Sequence, residues 1–148
     1  MLDNRYQFES APDLLTFEFE SIGPVGIVTK AVSYTSTDTA GVYNLGFGDI
    51  NPLTGYLDDS IVTNNHDSQK VLATVAYTLY LFTERYPDAI ALASGSTTAR
   101  TRLYRIGIAN NLHDIEQDFD VLGLTDLIEW EPFRKNADYL AFSLRRKF

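Results

Sequence analysis

The chain predicts an α+β fold, a mostly antiparallel sheet of about six to seven strands with two main helices, in the order β-β-β-β-α-β-α-β-β. Three observations carry that prediction. β-Branched and aromatic residues alternate with polar ones through the first half of the chain, the period of a half-buried strand. One long stretch then switches to helical spacing, with Val71, Leu72, Val75, Leu79, Phe82 and Tyr86 as its apolar members. A short apolar run, Ala89–Ala93, separates it from a second helical stretch. At 148 residues, with 45% hydrophobic and 13% aromatic content, a single domain spanning 1–148 is long enough to bury its own core.

Each element has a local reason. Residues 1–15 are polar and irregular, with Pro12, and Tyr6 and Phe8 pack as an extended lead-in. Thr16–Ser21 alternates Phe17 and Phe19 with Glu18 and Glu20. Ile22-Gly23-Pro24 signals a turn. Pro24–Tyr34 reads as a long central strand, with Val25, Ile27 and Ala31 on one face and Val28, Val32 and Tyr34 on the other. Thr35–Gly41 makes a loop. In the next strand, Val42–Asp49, Tyr43, Leu45 and Phe47 share one face and Asn44, Gly46 and Gly48 the other. Glycines inside a strand often mark close approach by another group. Asn51–Gly55 is a turn, and Asp58–Thr63 a shorter strand.

Asn65 and Asp67 are good helix caps by residue type. The first helix runs on from them for about five turns, and Pro87 ends it. After the buried strand Ala89–Ala93, the segment Ser94–Arg105 opens a second helix, from about Thr98 to Asn110. Its Ser and Thr hydroxyls can take unpaired N–H groups of the first turn. Leu112, Ile115 and Phe119 suggest a further short helical turn, and Phe119–Leu124 a strand. Glu129–Phe133 is a loop or strand end. Tyr139–Arg146 is the last strand, with Leu140, Phe142 and Leu144 on one face.

Composition removes several function classes. A net charge of −8 opposes nonspecific attraction to nucleic acid or anionic lipid. The absence of cysteine excludes disulfides, thiolate metal sites and a cysteine nucleophile. No basic leader with an apolar core opens the chain, and no apolar run approaches the roughly 20 residues of a membrane-crossing helix. The expectation is a soluble cytoplasmic protein of bacterial type, with no membrane partner and no cofactor. The aromatic strands leave room for a homodimer without specifying one. No Gly-x-Ser-x-Gly, His-Glu-x-x-His or calcium-loop spacing occurs.

Positive charge gathers at one place. Of twelve Lys and Arg residues, three are Arg100, Arg102 and Arg105, at a strand-to-helix junction. On a helix Arg102 and Arg105 share a side and Arg100 points elsewhere. With Asn65, Ser96 and Thr97 they form a candidate set for binding an anion or another ligand, helped by the amides of the first turn. The other reading is ion pairing with Asp118, Asp120 or Glu129. Asn64, Asn65, His66 and Asp67, with Asp58 and Asp59, supply oxygen and nitrogen donors but no diagnostic spacing. Capping accounts for them more simply, and no metal is expected. His113 with Asp114 and Glu116 reads as an exposed helix flank. Arg145, Arg146 and Lys147, near Tyr139 and Phe142, could touch nucleic acid or blunt a sheet edge.

The element order resembles the core of the Gcn5-related acetyltransferase fold, and Ala99, Leu103 and Tyr104 resemble the small-residue and aromatic-Tyr pattern of that fold's second helix. The resemblance implies an acetyltransferase-like scaffold, with Tyr104 as a general acid toward the coenzyme thiolate; in an active acyltransferase a carboxylate such as Asp49 would relay the amine proton. The turn before the first helix departs from the family's Arg/Gln-x-x-Gly-x-Gly/Ala. It reads Thr63-Asn64-Asn65-His66-Asp67-Ser68-Gln69-Lys70, without glycine and with a carboxylate where phosphates would lie. A second resemblance spans nearly the whole chain. Tyr43–Asp49, Asn64-Asn65, Lys70–Val75, Gly95-Ser96-Thr97, Arg100–Arg105 and Pro132-Phe133 are similar to segments of a bacterial family of unknown function, found mainly in Bacteroidetes, and to a module of some phage-encoded proteins. The preferred reading is a non-catalytic binding or interaction module for a small anion or a protein segment. The alternative is a divergent acyl-CoA-dependent N-acyltransferase.

Overall fold

The computed structural model describes residues 4–58, 63–95 and 97–148. Among them one sheet of nine strands carries three helices, a mixed α+β arrangement with more strands than the sequence predicts. The strands β1 (Phe8–Ser10), β2 (Thr16–Gly23), β3 (Gly26–Ser36) and β4 (Val42–Ile50) form an antiparallel meander, and β5 (Leu57–Asp58) pairs with the end of β4. The helix α1 (Ser68–Arg85) follows, then β6 (Ile90–Ala93), α2 (Thr98–Asn110) and α3 (Leu112–Asp118). The chain ends with β7 (Phe119–Leu124), β8 (Trp130–Pro132) and β9 (Ala141–Arg146). The strand order is β1-β2-β3-β4-β6-β9-β7-β8. Every described pair is antiparallel except β4 with β6, which run parallel from Val42↔Ile90 to Leu45↔Ala93.

That one parallel join follows from connectivity. A helix between two strands of one sheet returns the chain to the same end, so the second strand points the same way as the first. The core forms where α1 and α2 cover one sheet face. Phe82 of α1 stacks on Tyr34 of β3 at 4.1 Å between ring centroids, and Phe17, Val32 and Phe47 are buried beside them. The other face of β2, β3 and β4 carries Glu18, Glu20, Thr35 and Asn44, all exposed.

Several sequence expectations need correction. The lead-in is not wholly irregular, because Tyr6 stacks on Phe19 and Phe8 packs edge-on against Phe17, which draws residues 8–10 into a ninth strand. The hairpin turn is Pro24-Val25, flanked by the pair Gly23↔Gly26, so Val25 and Ile27 stand exposed at its tip and not on a central face. The predicted strand Asp58–Thr63 falls partly outside the described residues; Leu57–Asp58 is its described part. The segment Glu129–Phe133 contributes β8, paired with β7. Leu140 lies before β9 and is exposed, while Phe142 and Leu144 are buried as predicted. The strand β9 lies inside the sheet, between β6 and β7, so its basic end blunts no edge. Arg146 instead bonds Thr83 Oγ1 at 3.1 Å and reaches Glu84 at 3.3 Å, tying β9 to α1.

The predicted capping of α1 fails as well. Its N-cap residue, Asp67, makes no side-chain cap bond. The Asp67 carboxylate accepts from Tyr6 Oη and Ser21 Oγ, each at 2.6 Å. Burial, and then this bond to a carboxylate, raise the Tyr6 pKa. Asn65 is buried and clasps the β2–β3 hairpin: its Oδ1 accepts from Val25 N at 2.8 Å and its Nδ2 donates to Gly26 O at 2.9 Å. Two polar side chains that read as local caps serve the tertiary fold.

Candidate functional site

Of the strands β4 and β6, β6 stops first. Their pairing ends at Leu45↔Ala93, but β4 runs on to Ile50, while the chain after Ala93 turns into α2. A cleft of about 540 Å³ opens at this split. Ser33 and Thr35 of β3 and Asn44 and Gly46 of β4 line it from the helix-free face, with the register Ser33↔Gly46 and Thr35↔Asn44 placing them side by side. Leu57 and Leu92 supply apolar wall, and Arg100 and Tyr104 reach it from α2.

The α2 start that presents Arg100 is built as its sequence suggests. Thr97 is the N-cap, and its hydroxyl accepts from Arg100 N at 3.2 Å. The preceding Gly95 passes so close to the first turn that a Cβ there would strike Arg100 Cβ and Thr101 N. Gly95 N donates to Thr101 Oγ1 at 3.1 Å, which closes the turn. Only glycine lets strand and helix approach this closely.

Arg100 is 4% exposed, and its Nε and Nη1 are buried without a hydrogen-bond partner. Its guanidinium lies 4.9 Å from the centroid of the Phe47 ring. A cation on a ring face gains roughly 0.5–2 kcal/mol. A buried cation without a counter-charge costs several kcal/mol, so the ring does not account for the site. Guanidinium does not shed its proton in proteins. No described carboxylate pairs with Arg100.

The six residues of the candidate anion set do not assemble as one site. Arg100 lines the cleft and Thr97 caps the helix that presents it. Arg102 is exposed and lines no part of the cleft. Arg105 pairs with Asp138 at 2.7 Å, not with Asp118, Asp120 or Glu129. Asn65 is held by the hairpin and is no part of the cleft wall. Ser96 lies outside the described residues. Tyr104 is buried, its hydroxyl donates to Leu45 O at 3.2 Å, and its ring meets Phe47 edge-on.

Sequence reasoning missed a buried ion pair between β3 and β4. Lys30 is fully buried, and its Nζ lies 2.6 Å from Asp49 Oδ1 and 3.0 Å from Thr63 O. Asp49 Oδ2 accepts from Thr63 N at 3.0 Å and from the Thr63 hydroxyl. Asp49, the example relay carboxylate of the acyltransferase alternative, is paired with Lys30 and Thr63. A signal existed: Lys30 shares strand parity with Val28, Val32 and Tyr34, the apolar face of β3. Likewise Ser33, Thr35 and Asn44 follow from parity, but their neighbours come only from register.

Among the described residues no group of three or more His, Asp or Glu could hold a metal, and Asp59 of the candidate cluster lies outside them. His66 is exposed at a positive φ of 60°, and His113 is exposed beside Gln117. No described helix is long and apolar enough to cross a membrane.

Comparison with known proteins adds a family and nothing finer. The family model described as "Family of unknown function (DUF6934)" matches residues 2–147, so the chain belongs to that family. No curated protein and no solved structure matches the chain.

Proposed function

We propose that this member of a family of unknown function is a non-catalytic binding module that takes a small anion at the β4–β6 split. The observation that carries the reading is Arg100, a residue of the cleft wall whose side chain is buried and whose Nε and Nη1 have no hydrogen-bond partner. A buried charge left without a partner is a functional-site signal, because an apolar residue there would cost less. The scaffold reading is acetyltransferase-like. It is supported by the order β-β-β-β-α-β-α-β-β, which remains when β1, α3 and β8 are set aside, and by the cleft at a parallel join in the middle of the sheet.

Three observations weigh against the acyltransferase alternative. Asp67, the N-cap residue of α1, puts a carboxylate at the helix N-terminus, where pyrophosphate would need bare amides. Asp49 is locked to Lys30. The Tyr104 hydroxyl is directed at a β4 carbonyl. The reading is tested by thermal melting of the protein with acetate, phosphate and acetyl-CoA, repeated on Arg100→Met. A ligand near a hundred times its dissociation constant stabilises by about 2.7 kcal/mol. Stabilisation by a simple anion that vanishes in Arg100→Met supports the reading; saturable acetyl-CoA binding that survives the substitution overturns it.

A further inference from the structure

We infer that the ligand is a small monocarboxylate with an uncharged polar body. This rests on the anion-binding reading of the Arg100 cleft and specifies its chemistry. The argument is one of charge balance. Among the described lining residues Arg100 is the single cation, and none is Asp or Glu. The neighbouring cations are not available: Lys30 belongs to Asp49, Arg105 to Asp138, and Arg102 lies outside the cleft.

A site whose described lining has one buried positive charge and no negative one is matched by a ligand of charge −1. A phosphate monoester carries roughly −1.5 to −2 at neutral pH. It would bring excess negative charge to a site with one cation, in a chain whose net charge is already −8. Nucleotides and coenzyme A share that excess. A free amino acid offers a carboxylate but also an ammonium, for which the described lining has no counter-charge. A carboxylate alone fits the planar guanidinium fork.

The rest of the lining describes the rest of the ligand. Ser33 and Thr35 hydroxyls and the Asn44 amide can each both donate and accept. They suit an amide or hydroxyl group and offer no charge. Leu57 and Leu92 provide a short apolar wall. The volume, about 540 Å³, lies within the range of small-molecule pockets.

The test is calorimetric titration of the full chain with N-acetylglycine, its neutral amide N-acetylglycinamide, glycine and inorganic phosphate. The expected result is saturable binding of N-acetylglycine, at least about tenfold tighter than each of the other three and lost in Arg100→Met. Asn44→Ala, at an exposed position, is expected to weaken N-acetylglycine severalfold, and undiminished binding in that variant would overturn the polar-body assignment. Phosphate or glycine bound through Arg100 as tightly as N-acetylglycine would overturn the ligand class and leave the anion site standing. No Arg100-dependent binding of any of these anions would overturn the site reading and the inference together.

Discussion

Arg100 and Lys30 are both buried cations, and they differ in whether a carboxylate answers them. Lys30 has Asp49 at 2.6 Å and the Thr63 carbonyl at 3.0 Å. Removing one partner of such a pair leaves the other charged and buried, so Lys30→Met is expected to cost about 3–5 kcal/mol. Lys30→Met with Asp49→Leu should recover most of that. Urea denaturation checks both; equal losses for the single and double variants would mean the pair is not coupled. Arg100 has no such partner among the described residues, so Arg100→Met is expected to leave the urea midpoint unchanged or higher, even as binding is lost. A loss of several kcal/mol would mark Arg100 as structural. Tyr34 is a third residue with a readable consequence. Burial pushes its hydroxyl pKa well above the usual tyrosine value, outweighing the Thr78 hydroxyl that lowers it. The unfolded chain ionises this group near pH 10 and the folded chain does not. The Tyr34 contribution to stability is therefore complete below about pH 10 and declines as pH rises from there toward the folded-state pKa. The slope is about 1.36 kcal/mol per pH unit per group. Tyr34→Phe should flatten the alkaline fall, measured as melting temperature from pH 9 to pH 12.

At the scale of elements, the α2 start is where local chemistry and site geometry coincide. The Thr97 cap holds the first turn, and Thr97→Ala should lose about 1 kcal/mol in a urea melt. Gly95→Ala should lose more, roughly 1–3 kcal/mol, because the added carbon meets Arg100 Cβ and Thr101 N. It should also weaken the ligand, since the collision displaces Arg100 itself. A Gly95→Ala protein with undiminished stability would show that strand and helix are farther apart than described. This junction was legible in the sequence. The helix predicted from Thr98 to Asn110 has those bounds, because a hydroxyl cap and a glycine act within a few residues of where they stand. The start of α1 was not legible in the same way. Asn65 and Asp67 have the right chemistry for caps, but Tyr6, Ser21 and the β2–β3 hairpin compete for the same oxygen atoms and win.

For the whole molecule, one described core cluster runs from Tyr6 to Leu144 and draws on strands and helices from end to end. Residues 1–148 are therefore expected to unfold as a single domain in one transition. Far-UV circular dichroism and the fluorescence of Trp130, half-exposed on β8, should share a midpoint. An earlier fluorescence change would mean that the β7–β8 hairpin opens independently. Sequence alone determined the fold class, the existence and type of the main elements and the position of the basic junction. Those depend on periodicity and on residues close in the chain, where strand parity, helical spacing and capping operate. Only the tertiary structure decided which arginine matters. Arg100, Arg102 and Arg105 are nearly equivalent as letters on one helix. They became a buried cation unpaired among the described residues, an exposed residue and a partner of Asp138 through the sheet register that opens a cleft beside one of them. Burial and pairing are set by residues distant in sequence, such as Ser33, Asn44 and Phe47, and chain pattern carries no record of which side chains those contacts will bring together.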